Sequence, residues 1–482
     1  MIWHVARKEL TEITRDGRFL WSAFIIIVLL LTSLGVAASR YGEDRALREA
    51  ATREVRSQWL NQGVKGPHSA AHYGVYAFKP STPLALFDPG LNDYTGTVTM
   101  LEAHKENQAS YKPAQDATSL QRFGDLSGAM ILQLLIPLLI ILLCFGMISG
   151  EREEGTLRQL LSVGAKRSDL VWGKAVGVAV TLGLVLVPSV LVGAVLSGLI
   201  VGESDPHDMI DFPAKVAVLA GGYLAYLAIF VVVSLTVSIM AKSSRTALTI
   251  LLGFWILNGL LLPRAAADVS RQLYPTPSAL ELSQAIRVGR DRGPHPHEPN
   301  HPNHIAFREK LLATYKVERI EDLPYGFFGL ALEADETHGF KVFDRHVGEL
   351  NRRYAMQNRF QQAIGVLSPF IAVRSLSSAL AGTDVDFANQ FAAAGEAYRR
   401  NLVKVTNDDL KRNTVGWTTF DAEWRYKAGD DVWKRVPAFD FDAPPLGDIL
   451  ARNWLPIAVL AAWLFGGVVA LLSVSRRMKI DV

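Results

Sequence analysis

Residues 297–301 have a spacing that could support metal-dependent hydrolysis. His297-Glu298-Pro299-Asn300-His301 matches the pattern His-Glu-x-x-His, in which two histidines on one helical face bind zinc and the glutamate is the general base. Prolines stand before, within and after this stretch. Proline removes a backbone donor and clashes with the preceding helical turn. We therefore expect no regular helix here and exclude a metalloprotease.

The same histidines could still reach a metal ion from a loop. Residues 291–303 are rich in proline and histidine, which predicts a loop. Imidazole nitrogens suit zinc and copper. Weak candidates for such a site are His295, His297, His301 and His304. A solvated polar loop without metal is the alternative, and we favour it on composition.

The most informative pattern is a charged elbow, residues 149–174, which separates two apolar runs. Three glutamates at 151–154 suit a helix start, Gly164 suits its end, and Ser168 suits the cap of the next helix. Leucines at 157, 160 and 161 recur at helical spacing, which predicts an apolar stripe. An exposed stripe of this kind indicates a docking surface. A loop that merely anchors two spans is the alternative.

The elements that hold the elbow are apolar runs long enough to cross a bilayer, which needs about 20 residues. Hydrophobic residues form 49% of the 482-residue chain, and they are bunched. We place six spans near 19–38, 126–148, 175–200, 215–240, 246–262 and 454–474. No Asp, Glu, Lys or Arg lies centrally in any of them, so an external energy source fits better than ion coupling.

The distribution of charge predicts the orientation of these spans. Basic residues cluster at 7–18, 152–174, 242–245 and 476–479. The short loop 201–213 instead has no Lys or Arg and carries Glu203, Asp205, Asp208 and Asp211. Because basic short loops stay in the cytoplasm, we expect both termini and the elbow to be cytoplasmic. Residues 1–17 fit an amphipathic helix on the inner membrane surface.

This topology leaves two long polar segments outside the membrane, and both contain stretches compatible with helices. The only cysteine, Cys144, lies in an apolar run, so no intramolecular disulfide supports them. We expect an all-α membrane protein with six transmembrane helices and a mostly helical periplasmic domain. Its predicted parts are 1–38 (interfacial helix and first span), 39–125 (first periplasmic segment), 126–263 (spans two to five with the elbow), 264–452 (large periplasmic domain) and 453–482 (sixth span and cytoplasmic tail).

Two function classes are disfavoured by the sequence. The chain lacks the pattern Gly-x-x-x-x-Gly-Lys-Ser/Thr, whose loop holds nucleotide phosphates, so it should not hydrolyse ATP itself. Its net charge is only +3, which gives no reason to expect a nucleic-acid partner. We therefore expect a transport subunit, not an enzyme. A membrane-anchored periplasmic sensor or envelope scaffold is the alternative, because the polar segments are large.

The elbow and its surroundings resemble the permeases of ABC exporters of the ABC-2 type, which have the type V exporter fold. The residues that carry this resemblance are Ser149-Gly-Glu-Arg-Glu-x-Gly-Thr-Leu-Arg158, Leu160-Leu161-Ser-x-Gly164 and Arg167-x-x-Leu170-x-x-Gly173-Lys174. The basic amphipathic start and the six spans match as well. The polar segments resemble a subgroup with a large periplasmic insert between the fifth and sixth spans, through Phe87-Asp-Pro-Gly90, Tyr94-Thr-Gly96, Leu101-Glu-Ala-His104 and Arg374-Ser-Leu-x-x-Ala-Leu-Ala-Gly-Thr-Asp384.

The resemblance implies a permease subunit of an ATP-driven exporter in the bacterial inner membrane. It implies partnership with two ABC ATPase subunits, which bind ATP and magnesium, and with a second permease of the same or a paralogous chain. Membrane lipid surrounds the spans, and a periplasmic or outer-membrane protein is a further candidate partner. The implied ATPase-coupling residues are Glu151, Arg152, Glu153, Gly155, Thr156, Leu157, Arg158, Leu160 and Leu161.

Overall fold

The computed structural model describes residues 1–116, 126–201, 206–417 and 425–478. Within these ranges, six helices are long and apolar enough to cross a membrane: Gly17–Leu60, Gly128–Glu153, Arg167–Gly193, Asp211–Met240, Ser244–Leu273 and Trp454–Arg476. Each contains one of the six predicted runs or most of it, so the all-α membrane fold is confirmed. The predicted loop charges Glu203 and Asp205 and the tail residue Lys479 lie outside the described residues.

Helices make up most of the described chain, and the bounds of all elements are as follows. The helices are α1 (Ile2–Arg15), α2 (Gly17–Leu60), α3 (Pro67–Tyr73), α4 (Asn92–Thr95), α5 (Pro113–Asp116), α6 (Gly128–Met130), α7 (Ile136–Cys144), α8 (Ser149–Glu153), α9 (Thr156–Ser162), α10 (Arg167–Val201), α11 (Pro206–Met240), α12 (Ser244–Ile256), α13 (Leu262–Leu273), α14 (Ala279–Arg290), α15 (Pro302–Tyr315), α16 (Phe327–Ile364), α17 (Pro369–Leu380), α18 (Val385–Asn413), α19 (Asp430–Trp433), α20 (Leu446–Arg452) and α21 (Trp454–Arg476). The strands are β1 (Val75–Phe78), β2 (Val98–Glu102) and β3 (Lys105–Glu106). Single π-helical turns, Ile131–Leu135 and Leu257–Leu261, interrupt the second and fifth spans.

The first span continues far beyond the membrane as one helix. Asp16 separates α1 from α2 and caps α2, since its carboxylate accepts a hydrogen bond from the Arg18 amide at 2.8 Å. The apolar half of α2 is followed by a charged half in which Arg45 and Glu49, one turn apart, form an ion pair at 2.7 Å. The second half therefore extends the first span outward as a helical stalk.

The two polar segments share one apolar core outside the spans. Trp59 near the end of α2 meets Trp433 of α19, with ring centroids 5.8 Å apart. The Trp59 indole donates to the Trp433 carbonyl at 3.0 Å, and the Trp433 indole donates to the Gly63 carbonyl at 2.9 Å. We call the described residues of 40–116, 274–364 and 385–453 the extramembrane domain.

A small antiparallel sheet forms in this domain, although residues 63–89, which include its first strand, are rich in glycine and proline and are predicted from this composition to be a loop. β2 pairs with β1 in the register Val75↔Leu101 and with β3 in the register Glu102↔Lys105. The strands are too short for an alternating pattern to stand out in the sequence. They form because Val75, Ala77 and Leu101 enter the shared core, next to α3.

Helix α17 was predicted as part of the large outer domain, but it packs into the apolar core that the spans form. Phe370, Val373 and Leu376 belong to that core. Ser368, which caps α17, donates to the Asn258 carbonyl at 3.2 Å, and Ser377 lies 3.0 Å from the Tyr223 hydroxyl. The helix therefore joins the extramembrane domain to the fourth and fifth spans.

Candidate functional site

The elbow folds as two short helices between the second and third spans. Gly155 separates α8 from α9 with φ of +75°, and Gly164 follows α9 with φ of +87°. Both angles lie in the left-handed region that glycine adopts at low cost. These two turns let the chain leave one span and enter the next within about a dozen residues, as the predicted start and stop signals require.

A buried ion network fixes the elbow to the amino terminus. The Lys174 ammonium contacts Glu9 at 2.6 Å and Glu151 at 2.8 Å, and Lys8 contacts Glu151 at 3.3 Å. Lys174 is only 1% exposed. A buried cation is tolerated when carboxylates compensate it, and removal of one partner is costly. Lys174 therefore joins α1, α8 and α10 in one rigid unit.

Close helix packing reinforces that unit. Gly173 and Gly177 lie on the face of α10 that touches α1. A Cβ atom at residue 173 would overlap Val5, and one at residue 177 would lie 2.8 Å from the Glu9 Cβ. This pair of glycines thus permits the backbones of α1 and α10 to approach, as pairs of small residues four apart do within membranes.

Two further elbow residues bind the turn between the fourth and fifth spans. The Arg152 guanidinium donates to the carbonyls of Ala241 at 2.7 Å and Ile239 at 2.8 Å, at the end of α11. The Glu153 carboxylate accepts from the Ser244 hydroxyl at 2.6 Å, at the start of α12. A cation at a helix end and an anion at a helix start are each stabilising. Both side chains thus have intramolecular partners.

The expectation of an exposed leucine stripe on α9 is wrong. Leu157 is fully buried, and Leu160 and Leu161 are half-buried against the apolar core of the spans. Helical spacing predicts an apolar face but does not say which neighbour covers it, and here the bundle itself covers it. Thr156 is also half-buried, and its hydroxyl donates to the Glu151 carbonyl at 3.1 Å.

The surface that the elbow does expose is mainly polar. Val163, at the end of α9, is the exception and is 76% exposed. The exposed residues of α8, α9 and the turns beside them are Glu153, Glu154, Gly155, Arg158, Gln159, Ser162, Val163 and Gly164. Of the predicted coupling residues, Glu153, Gly155 and Arg158 are therefore at this surface, whereas Glu151, Arg152 and Leu157 hold the elbow in place.

The elbow, the amino terminus and the end of the last span lie on one side of the bundle. The Arg167 guanidinium, at the start of α10, donates to the Arg476 carbonyl, at the end of α21, at 3.3 Å. α1 packs on the same end of α10 through Lys174. The extramembrane domain adjoins the bundle at the far end of the last span, which begins at Trp454, and along the extension of α2.

Two amide side chains lie within the apolar runs of the spans, and one of them, Gln133, bridges neighbouring helices. The Gln133 side-chain amide donates to the Tyr223 hydroxyl at 2.8 Å, and the Gln133 main-chain carbonyl accepts from the Tyr226 hydroxyl at 2.7 Å. The Asn258 amide donates to the Phe254 carbonyl of its own helix at 3.0 Å. Gln133 thus has the helix-bridging role that is common for amides in spans.

The histidine candidates divide into two groups. His297 lies with three histidines that the sequence did not single out, and we call this group the imidazole cluster: His68, His72, His104 and His297. His295 stacks on His301, with ring centroids 3.7 Å apart, beside Glu298. The remaining candidate, His304, is buried, and its Nδ1 lies 3.0 Å from the His295 carbonyl oxygen.

The prediction that residues 297–301 form no helix is confirmed. The chain is irregular from 293 to 301, and His301 caps α15, which begins at Pro302. His297 and His301 consequently belong to different groups and do not share a helical face. A signal for the imidazole cluster did exist in the sequence, since His68 and His72 are one turn apart on α3.

Burial and charge give the members of the imidazole cluster different proton affinities. Burial lowers the pKa of His68 well below its usual range. Burial, with the charge of His104, lowers the pKa of His297 to about 4. Burial also acts to lower the pKa of His104, but hydrogen bonds and charge contacts with Asp335 and Glu336 outweigh it and raise the pKa to about 9.

Comparison with known proteins identifies the family. The family model described as ABC-2 family transporter protein matches residues 3–470, which is nearly the whole chain. No curated protein matches it. The chain therefore belongs to the ABC-2 transporter family, and, with six helices among its described residues that are long and apolar enough to cross a membrane, it is a multi-pass membrane protein that forms the permease component of an ABC transporter.

Proposed function

We propose that this permease works in an ATP-driven exporter and that an ABC ATPase subunit docks on the exposed face of the elbow. ATP and magnesium would be bound by the ATPase subunits, of which two would serve a pair of permeases made from this chain alone or from this chain and a paralogue. Movement of the ATPases on ATP binding would shift the elbow, and the elbow would tilt the spans.

The observation that carries this proposal is that the elbow has one face bound to the helix bundle and another face exposed. Toward the bundle, it is held by Lys174, by the carbonyls at the end of α11 and by the start of α12. Away from the bundle, it presents charged and polar side chains and the exposed Val163. A force applied to that outer face would reach four helices through short, mostly buried contacts, which is what a coupling element requires.

The charge pattern supports a cytoplasmic location for the elbow in the inner membrane. Basic side chains of Lys166, Arg167, Lys242, Arg245, Arg476 and Arg477 belong to the loops and helix ends on the elbow side. Such clusters next to short loops are retained in the cytoplasm during insertion. Both termini would be cytoplasmic, and the extramembrane domain would face the periplasm, where a periplasmic or outer-membrane protein could bind it.

The absence of Asp, Glu, Lys and Arg from the middle of the six apolar runs supports an external source of energy. Within the six apolar runs named from the sequence, Gln133 and Asn258 are the described residues with a side-chain amide, and both have hydrogen-bond partners. Proton- and ion-coupled transporters use ionisable residues at membrane depth. Outward transport is the direction that fits a family of exporters, and the size of the extramembrane domain fits a role at the exit.

A co-purification experiment with matched variants tests the docking surface. The chain would be isolated in mild detergent from its native host, and stoichiometric partners would be identified by mass spectrometry. Val163→Asp places a charge on the elbow face, whereas Val64→Asp places the same charge on a valine of the extramembrane domain that is equally exposed, at 74%. We expect Val163→Asp to reduce the recovered ATPase at least tenfold and Val64→Asp to leave it unchanged.

The same samples test the coupling role and the alternative function. ATP hydrolysis by the wild-type complex should exceed that of the ATPase alone, and Val163→Asp should remove the difference. Recovery of no ATPase with the wild-type chain, together with a stable periplasmic or outer-membrane partner, would contradict the proposal and favour an envelope scaffold. Recovery of a second permease would decide between a homodimer and a heterodimer.

A further inference from the structure

We propose that the imidazole cluster binds one divalent transition-metal ion of the late first row, with zinc as the metal that its geometry fits. The four histidines come from α3, from the β2–β3 connection and from the loop before α15, which are up to 229 residues apart in sequence. Their ligand atoms nevertheless all lie within 4.8 Å of one another. This site is separate from the elbow and does not depend on the proposed function.

The spacing of the nitrogens matches a tetrahedral site. The Nε2 of His68 lies 3.1 Å from the Nε2 of His72 and 3.2 Å from the Nε2 of His297. Zinc binds imidazole nitrogen at about 2.0–2.1 Å, so two ligands of a tetrahedron are about 3.3 Å apart. A small inward or outward shift of the rings is enough to place an ion between them.

Hydrogen bonding among the rings does not explain this arrangement as well. An imidazole nitrogen has either one N–H or one lone pair in the ring plane, so it can make one in-plane hydrogen bond. The Nε2 of His68 has two imidazole nitrogens at hydrogen-bond distance. A cation at the centre would instead accept a lone pair from each nitrogen at once.

The surroundings of His104 resemble the outer shell of a metal site. Its Nδ1 lies 2.8 Å from the Glu336 carboxylate and 3.3 Å from the Asp335 carboxylate. Its Nε2 is buried and has no hydrogen-bond partner among the described residues. Metal-bound histidines commonly direct their second nitrogen at a carboxylate, which fixes the ring and strengthens the ligand.

Both carboxylates are held in turn by arginines, of which Arg290 is half-buried and Arg399 is buried. Arg290 donates to Asp335 at 2.7 Å, and Arg399 lies 3.5 Å from Glu336. Asp335, Glu336 and Arg399 are almost fully buried. The position of the His104 ring is therefore set by α14, α16 and α18 together, which is the rigid support that a preformed ligand needs.

The four imidazole ligands determine which class of ion the site can bind, and the exposure of two of them lets the ion enter. Imidazole suits zinc, copper and nickel, whereas magnesium, calcium and manganese prefer oxygen ligands. His68 is buried, but His72 and His297 are exposed, so an ion can enter without unfolding of the domain. Once bound, it would fasten the loop 291–301 to α3 and to the sheet, in a chain whose single cysteine excludes an internal disulfide.

Cobalt titration of the full chain tests the site. The chain would carry an affinity tag without histidine, be stripped with EDTA in detergent and be titrated with Co²⁺, whose visible absorption is intense in tetrahedral nitrogen sites. We expect one Co²⁺ per chain, displaced by one Zn²⁺, with the metal content checked by mass spectrometry. His72→Ala and His297→Ala each remove an exposed ligand and should weaken binding at least tenfold, and the double variant should abolish the spectrum.

Two controls make the result decisive. His346→Ala changes a half-buried histidine of α16 that belongs to neither group, and it should bind Co²⁺ as the wild type does. His301→Ala removes a member of the neighbouring group and should also leave the stoichiometry and spectrum unchanged. Failure of the folded wild-type chain to bind, or binding that persists in the double variant, would overturn the proposal, as would loss of binding in His301→Ala alone.

Discussion

The elbow and the imidazole cluster are both crowded with ionisable side chains, but they are satisfied in opposite ways. In the elbow, Glu151 contacts lysines, Arg152 binds backbone carbonyls and Glu153 binds the start of a helix. In the cluster, nitrogens of one chemical type meet one another at 3.1–3.2 Å. These charged side chains of the elbow thus have oppositely charged or polar partners within the chain, whereas the metal ion that we propose would be the common partner of the cluster.

The difference shows how the two regions can serve a transporter. Charges that neutralise one another inside the protein hold their helices in fixed relative positions, since each partner resists the displacement of the other. Like groups that converge in a partly buried space are typical of a binding site. The residues of the elbow that look most reactive in the sequence therefore have partners within the chain, and the docking face that we propose lies elsewhere on the same helices.

The largest expected effect is on the ion network that connects the elbow to α1 and α10. Lys174→Met leaves the carboxylates of Glu9 and Glu151 without their buried cation, and this should lower the free energy of unfolding by about 3–5 kcal/mol. Thermal unfolding in detergent measures the loss. Lys166→Met, at an exposed lysine of the same elbow, is the control and should be nearly neutral. Equal stabilities of the two variants would mean that the buried ion contacts of Lys174 do not stabilise the elbow.

Metal removal should affect only the other region. With Zn²⁺ at a hundred times its dissociation constant, binding adds about 2.7 kcal/mol to the free energy of unfolding, and a chelator should remove it. The wild type and Lys174→Met should lose the same amount on chelation, whereas His72→Ala/His297→Ala should lose little. If chelation destabilises the wild type and this double variant alike, the imidazole cluster is not the site at which the metal stabilises the chain, and the contrast between the two regions is wrong.

A smaller effect is expected where α1 packs on α10. Gly173→Ala would force a methyl group into Val5 and should cost about 1–3 kcal/mol. Gly183→Ala in the same helix meets no atom within 4 Å and should gain up to about 1 kcal/mol from helix propensity. Denaturant titration of the two alanine variants gives opposite signs if the close contact is real, and the same sign if it is not.

The smallest effect tests the contact between the elbow and the fifth span. Glu153→Gln weakens the charge at the start of α12, where the carboxylate accepts from Ser244, and should cost about 0.3–1 kcal/mol. Its neighbour Glu154 is exposed, and Glu154→Gln serves as the matched control. A loss for Glu154→Gln as large as that for Glu153→Gln would show that surface charge, not the contact with α12, is responsible.

The spans could be predicted because the bilayer demands a length and a composition that no other element needs. Helix α17 could not be recognised as part of their core. It has 12 residues, too few to span, and it carries Arg374 and several serines that read as polar surface. Its burial depends on contacts with α11 and α21, which no local pattern describes.

The candidate sites were predictable to different degrees. The start and stop signals of the elbow helices are local, so they follow from the residue types at 149–168. The direction in which Leu157 points is not local, because an apolar stripe fits a partner and the bundle equally well. The imidazole cluster depends on pairs such as His68 and His297, which lie far apart in sequence and meet only after the extramembrane domain has folded.

One unbroken helix, α2, has a mechanical consequence. Its 44 residues, at 1.5 Å each, make a rod about 66 Å long. The near end adjoins α1, which Lys174 clamps to the elbow, and the far end carries Trp59 in the core of the extramembrane domain. As a lever pivoting at Asp16, the rod would carry Leu60 sideways by roughly 6 Å for a tilt of about 5°. Because α2 is continuous, a small rotation beside the elbow would thus become a larger displacement close to the histidines of α3.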